Sequence, residues 1–168
     1  LGDIVASESV RLAGDQLNSD IAEYIKEHHG LIIGEHTAER IKIELGTAQK
    51  VDDPQTMEVR GRDVASGMPK QIETNENEIA DALHDTLEQI VRASVAVLET
   101  VPPELASDII DRGIMLTGGT AMLHGIDKLF SDRLKVPVVV SQDPLDNVAK
   151  GAGELLERMQ SDSGKNRK

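Results

Sequence analysis

The chain has 168 residues, with 30 acidic side chains against 18 basic ones for a net charge of −12, no cysteine, and only Tyr24 and Phe130 as aromatic residues. That length suits one domain or two small ones burying roughly 70% of the unfolded surface. The charge repels phosphate polymers and anionic lipid, the missing aromatics remove the platforms on which single-stranded nucleic acid stacks, and without cysteine there are no disulfides or thiolate metal sites, which favours an intracellular address.

No apolar run approaches the roughly 20 residues that span a bilayer. The opening "LGDIV" reads as the middle of a longer protein. Ile4-Val5 and Val10–Leu12 are expected to be the ends of an extended segment running to Gly14. A helix follows, capped by Asp15 or Ser19, with Leu17, Ile21, Tyr24, Ile25 and His28 at helical spacing and Gly30 closing it. His28 and His29 read as partners of its C-terminal dipole. "HTAERIKIELG" gives a second helix, with Thr37 as cap, Gly46 past its end, and Ala38, Ile41 and Leu45 as the buried stripe. Glu39 and Lys42 share another face, where spacing alone allows a surface ion pair or a ligand contact.

A polar loop over 47–55 leads to a hairpin: Met57 and Val59 before a turn at Gly61, then a strand near Met68 to Ile72. The strongest helix spans 76–100, with Asn75 and Glu78 as a capping box, a core face of Ile79, Leu83, Leu87, Ile90, Val91, Val95 and Leu98, and Pro102-Pro103 as its stop. A short helix in "ELASDII" and a strand at 114–117 precede Gly118-Gly119-Thr120, which a helix carrying Leu123, Ile126, Leu129 and Phe130 is expected to follow at once. A strand Val136 to Val140, a turn at "SQDPLDN" and a helix in "VAKGAGELLERM" complete the fold; the tail 161–168 is expected to be loose.

The order of elements predicts an α/β fold with a small inserted α+β unit. The outer part is 1–30 with 76–160, and the inner part is 31–75. A strand that ends on two glycines places free backbone N–H groups at a crevice that anions and nucleotides favour, and it serves equally well as a tight turn. No catalytic motif stands out. The five histidines lack ligand spacing, and His84 and His124 read as solvated helix residues.

With "LIIGEHTAERIKIELGTA", "MEVRGRDVASGMPKQIETNENEI", "PPELASDIIDRGIMLTGGTAML" and "VPVVVSQDPLDNVAKGAG" in view, the chain resembles MreB, the bacterial actin-homologue family. The resemblance covers about 1–160 and corresponds to the family's second half, subdomains IIA (outer part) and IIB (inner part). It implies an actin-like, ribonuclease H-like fold in a filament-forming subunit that binds ATP or GTP with Mg and guides cell-wall synthesis from the cytoplasmic face of the membrane. By resemblance, Glu39 and Lys42 line the nucleoside side of the cleft, and Gly118, Gly119 and Thr120 form the loop beneath adenine and the α-phosphate. Self-association into filaments and a RodZ-type membrane protein docked on IIA are the implied partners, with the membrane reached only indirectly.

Thr120 and Met122 stand where a small residue and a leucine are common. The family's phosphate loops, magnesium aspartate and water-positioning acid belong to its other half. The chain alone is therefore expected to be catalytically inactive, possessing at most one wall of a cleft, and to be marginal or self-associating where its strands lack neighbours. Half of a related sugar-kinase or chaperone ATPase, or a truncated interaction module without nucleotide affinity, are the rival readings. The short inner hairpin argues against the chaperone.

Overall fold

The computed structural model describes residues 4–10, 12 and 14–165, with side chains up to residue 157. Residues 4–10 and 12 form neither helix nor strand, and Ile4, Val5 and Val10 are exposed. The remainder of the expected N-terminal segment, Arg11 and Ala13, lies outside the described residues.

Helix α1, Gly14–His29, buries Leu17, Ile21 and Ile25, one residue per turn on a single face. Gly30 ends it with φ +62. Neither expected cap stands outside the helix: Asp15 is its second residue, and Ser19 sits inside it with its hydroxyl donating to the Asp15 carbonyl. A two-residue strand, β1 (Leu31–Ile32), was not expected from the sequence, being too short to show any alternation. Helix α2, Glu35–Leu45, buries Ala38, Ile41 and Leu45 as expected. Its N-cap is Gly34 rather than Thr37, whose own N–H donates to the Gly34 carbonyl at 3.0 Å.

Strands β2 (Thr56–Asp63) and β3 (Pro69–Asn75) form the hairpin, and β1 pairs antiparallel with β2 to make a three-stranded sheet ordered β1-β2-β3. The turn is not at Gly61. That residue lies inside β2 opposite Lys70, and a Cβ there would sit 2.3 Å from the Ile32 carbonyl, so glycine serves the close passage of β1. The chain reverses at residues 64–67, where Asp63 Oδ2 accepts from the Ser66 N–H (2.9 Å) and hydroxyl (2.8 Å).

Helix α3, Glu76–Thr100, carries Ile79, Leu83, Leu87 and Val91 into the core. Asn75 Oδ1 accepts from the N–H groups of Asn77 and Glu78 at 3.0 and 3.1 Å. The reciprocal half of the capping box is not made, because the Glu78 carboxylate turns to the Thr74 hydroxyl at 2.6 Å. Helix α4 (Pro103–Arg112) leads into β4 (Ile114–Leu116), which pairs in parallel with β5 (Val138–Val140) through helix α5 (Ile126–Leu134).

The second glycine opens a single 3-10 turn, Gly119–Met122, instead of a helix; α5 starts at Ile126, so Leu123 precedes it. The last helix, α6, begins at Pro144 inside the expected turn and runs to Lys165, through most of the segment expected to be loose; 166–168 lie outside the described residues. Among the described residues two separate sheets and the helices packed against them give the α/β class, and one core joins α1, α2, α3, α5 and β1.

Candidate functional site

Glu39 and Lys42 lie on α2 but do not pair with each other. Glu39 is exposed, while the half-buried Lys42 extends its ammonium to the Gly14 carbonyl, 3.1 Å away at the start of α1. That contact holds the N-terminus of one helix against the flank of the other.

Gly118 adopts φ +87 and ψ 173, a conformation glycine alone accepts at little cost. Its N–H is bound by the Pro144 carbonyl at 2.8 Å, and the Thr117 hydroxyl donates to the same oxygen at 3.1 Å. Ser141, buried, donates its hydroxyl to Thr117 Oγ1. The sequence reading missed this trio, which pins the glycine loop to the start of α6. Short hydroxyl residues flanking a turn carry no signal that tells a clamp from ordinary turn chemistry.

The next two N–H groups, of Gly119 and Thr120, find no acceptor among the described residues. The nearest side chain to a Cβ built on Gly119 is Leu145, at 3.7 Å. Two adjacent donors on a backbone free of crowding suit an anionic or strongly polar ligand group. Behind it, Thr120 and Ala121 join Leu87, Ile90, Leu116 and Phe130 around an apolar recess of about 190 Å³.

The structure joins the two motifs through backbone. The Gly46 N–H bonds the Lys42 carbonyl (2.9 Å), the His124 N–H bonds the Gly46 carbonyl (3.1 Å), the Ala48 N–H bonds the His124 carbonyl (2.8 Å), and the Leu123 N–H bonds the Thr120 carbonyl (3.2 Å). Thr47, inside the expected polar loop, is buried in this seam, and its hydroxyl reaches the carbonyls of Gln49 and His124. His124 therefore sits in a bridge rather than on a helix, though its side chain is exposed as expected. A second recess of about 420 Å³ opens beside the seam among Ile43, Glu44, Gly46, Met122 and His124. Neither Glu39 nor Lys42 lines it.

Two titrating groups elsewhere are displaced. Hydrogen bonds from the Ser66 backbone and hydroxyl, then Lys70, hold the Asp63 carboxyl down at about 2. Burial, then the charges of Glu78 and Asp81, push the Tyr24 phenol above its ordinary range. Among the described residues no three His, Asp or Glu side chains converge as a metal ion would require. No helix among them is long and apolar enough to cross a membrane.

Residues 1–164 match the family model for MreB/Mbl protein. The chain is 46% identical over 159 residues to the cell shape-determining protein Mbl of Bacillus subtilis, covering 95% of this chain and 48% of that protein. It is also 46% identical over 164 residues to the cell shape-determining protein MreB of Escherichia coli, covering 98% and 47%. It thus spans about half the length of the curated relatives it matches. The structure superposes on crystalline MreB 5 of Spiroplasma citri bound to AMPPNP with a TM-score of 0.89 at 34% identity, covering 98% of this chain and 50% of that one. A MamK double helical filament, at 18% identity and a TM-score of 0.70, shares the fold.

Proposed function

The chain belongs to the MreB/Mbl family, and from that premise we propose that it forms one wall of the nucleotide cleft of a filament-forming protein that determines cell shape. Residues 31–75 act as the IIB-like unit, and 1–30 with 76–160 as the IIA-like unit. Family membership sets aside the sugar-kinase and chaperone readings. The observation that carries the proposal is the run of backbone hydrogen bonds from Lys42 through Gly46 and His124 to Thr120, which holds Glu39, Lys42, Gly118, Gly119 and Thr120 on one connected piece of structure.

In this reading the Gly119 and Thr120 N–H groups receive the sugar-phosphate side of ATP or GTP, and α2 bounds the nucleoside. The nucleotide-bound state of the Spiroplasma citri relative, with AMPPNP in one structure and ADP in another, supports this. The nucleotide's phosphoanhydride supplies the energy of hydrolysis, and in this reading the Mg ligands and the groups that align water belong to the other half of the family's cleft. The likeness to the MamK filament fold supports self-association as the mode of assembly. A RodZ-type partner on the IIA-like unit would then bring the filament to the inner face of the membrane.

The test is a titration with fluorescent ATP of the polypeptide extended to its relatives' length, wild type against Gly119→Ala. The added methyl meets Leu145 at ordinary contact distance, so the fold tolerates it, and in this reading it crowds the ligand's approach to the Gly119 and Thr120 N–H groups. Affinity is expected to fall about tenfold, equivalent to about 1.4 kcal/mol. Unchanged affinity at unchanged thermal stability would refute the assignment.

A further inference from the structure

Side-chain hydroxyls tie together the ends of the two parallel strands. The Pro144 carbonyl, at the start of α6, accepts from the Gly118 N–H at 2.8 Å and from the Thr117 hydroxyl at 3.1 Å. Thr117 Oγ1 lies 3.1 Å from the Ser141 hydroxyl, and the Ser141 N–H donates to the Leu116 carbonyl at 2.9 Å. A carbonyl accepts and never donates, so the single Thr117 proton goes to Pro144 and Thr117 Oγ1 is left to accept from Ser141. The relay therefore has one direction, from Ser141 to Thr117 to Pro144. It closes a ring of contacts that runs from the end of β4 through Gly118 to the start of α6 and back to the end of β5.

We propose that Thr117 and Ser141 are positioning residues whose relay sets the glycine loop in its binding form before a ligand arrives, a role that rests on the nucleotide reading of that loop. Gly118 is the joint to be held. It stands at φ +87 and ψ 173 with the widest backbone freedom of any residue type, and rotation about either angle re-aims the N–H groups of Gly119 and Thr120 that follow. Its own N–H is spent on Pro144, and the relay brings a second donor to the same oxygen. A loop held in advance does not have to be ordered when the ligand binds, which raises affinity without any contact from the hydroxyls themselves. Burial fits that role. Ser141 is buried, so its hydroxyl needs a partner, whereas Thr117 is exposed and adds little to the core. Leu145 and Val148 come within 3.7 and 4.0 Å of Cβ positions built on Gly119 and Gly118, so the helix that supplies the Pro144 carbonyl also flanks the loop.

The test uses the polypeptide extended to its relatives' length, titrated with fluorescent ATP and melted in parallel. Thr117→Val keeps the shape of the side chain and removes the relay; ATP affinity is expected to fall about three- to tenfold. That substitution also leaves the buried Ser141 hydroxyl without its acceptor, so the melting temperature drops as well. Combining it with Ser141→Ala removes both partners, and stability is expected to return toward the unsubstituted value while affinity stays low. A merely structural effect would bring both back together. Thr117→Ser retains a hydroxyl and should bind within about twofold of the unsubstituted polypeptide. Affinity undiminished in Thr117→Val, affinity restored in the double variant, or a serine variant as weak as the valine one would each overturn the positioning role. An unsubstituted polypeptide that binds no ATP would overturn the nucleotide reading and the positioning role together, a result distinct from the other three.

Discussion

Gly46→Ala tests the seam on which the functional reading rests. Gly46 has φ −64 and ψ 113, which alanine adopts freely, so backbone strain plays no part. The obstacle is steric. The new methyl would lie 2.1 Å from the Lys42 carbonyl oxygen and 2.6 Å from Leu123 Cδ2, so backbone has to yield by roughly an ångström. Overpacking of that kind costs about 1–3 kcal/mol. Yielding stretches the His124-to-Gly46 and Ala48-to-His124 bonds, each contributing about 0.5–1.5 kcal/mol. Because the movement that relieves the clash is the one that breaks the bonds, the two costs overlap, and about 2–4 kcal/mol is expected. Urea unfolding of the chain should show it as a midpoint lowered by about 1–2 M, with faster amide exchange at Ala48 and His124. Gly153→Ala is the control, since nothing lies within 4 Å of it in α6, and it should be neutral or stabilising by up to about 1 kcal/mol. A Gly46→Ala protein within about 0.5 kcal/mol of wild type, with both amides still protected, would refute the reasoning.

Leu83, fully buried in α3, should cost about 2–5 kcal/mol when cut to alanine, measured by the same urea curves. Asn75→Ala leaves the N–H groups of Asn77 and Glu78 without their acceptor; a loss of about 1 kcal/mol and fraying of the first turn of α3 by amide exchange are expected. Asp63 has its folded-state pKa lowered from 3.8 to about 2, so its stabilising bonds are fully present above the unfolded value and are lost as pH falls through about 4 toward 2. Carbon-detected titration should place its carboxyl near that value, and Asp63→Asn should remove the acid-induced loosening of the 64–67 turn; a midpoint at an ordinary aspartate value would count against the turn geometry.

How much of this was legible before the structure depended on whether a signal was carried by side-chain periodicity or by pairing at a distance. The stripes of α2, of α1 through Ile25 and of α3 through Val91 read correctly because each core position recurs with the turn of the helix, as Leu17, Ile21 and Ile25 do, whereas His28 is exposed and Val95 and Leu98 stand outside the core. Gly61 misled because a glycine between two strand-like runs signals a turn, whereas here it makes room for β1, a strand only two residues long. Glu78 fitted the spacing of a capping box but found a better partner in Thr74, which no local pattern announces. The candidate site divides along the same line. The glycine pair and the α2 face are visible as motifs, and their family meaning came from resemblance, not from spacing. The seam between them is made by carbonyls and N–H groups of residues as far apart as Thr47 and His124, and main-chain atoms leave no trace in residue identity. The one clue is Gly46, read as a helix terminator. Its hydrogen near Leu123 serves the crossing of two segments as much as the end of a helix, so a substitution there separates the two roles where a motif cannot.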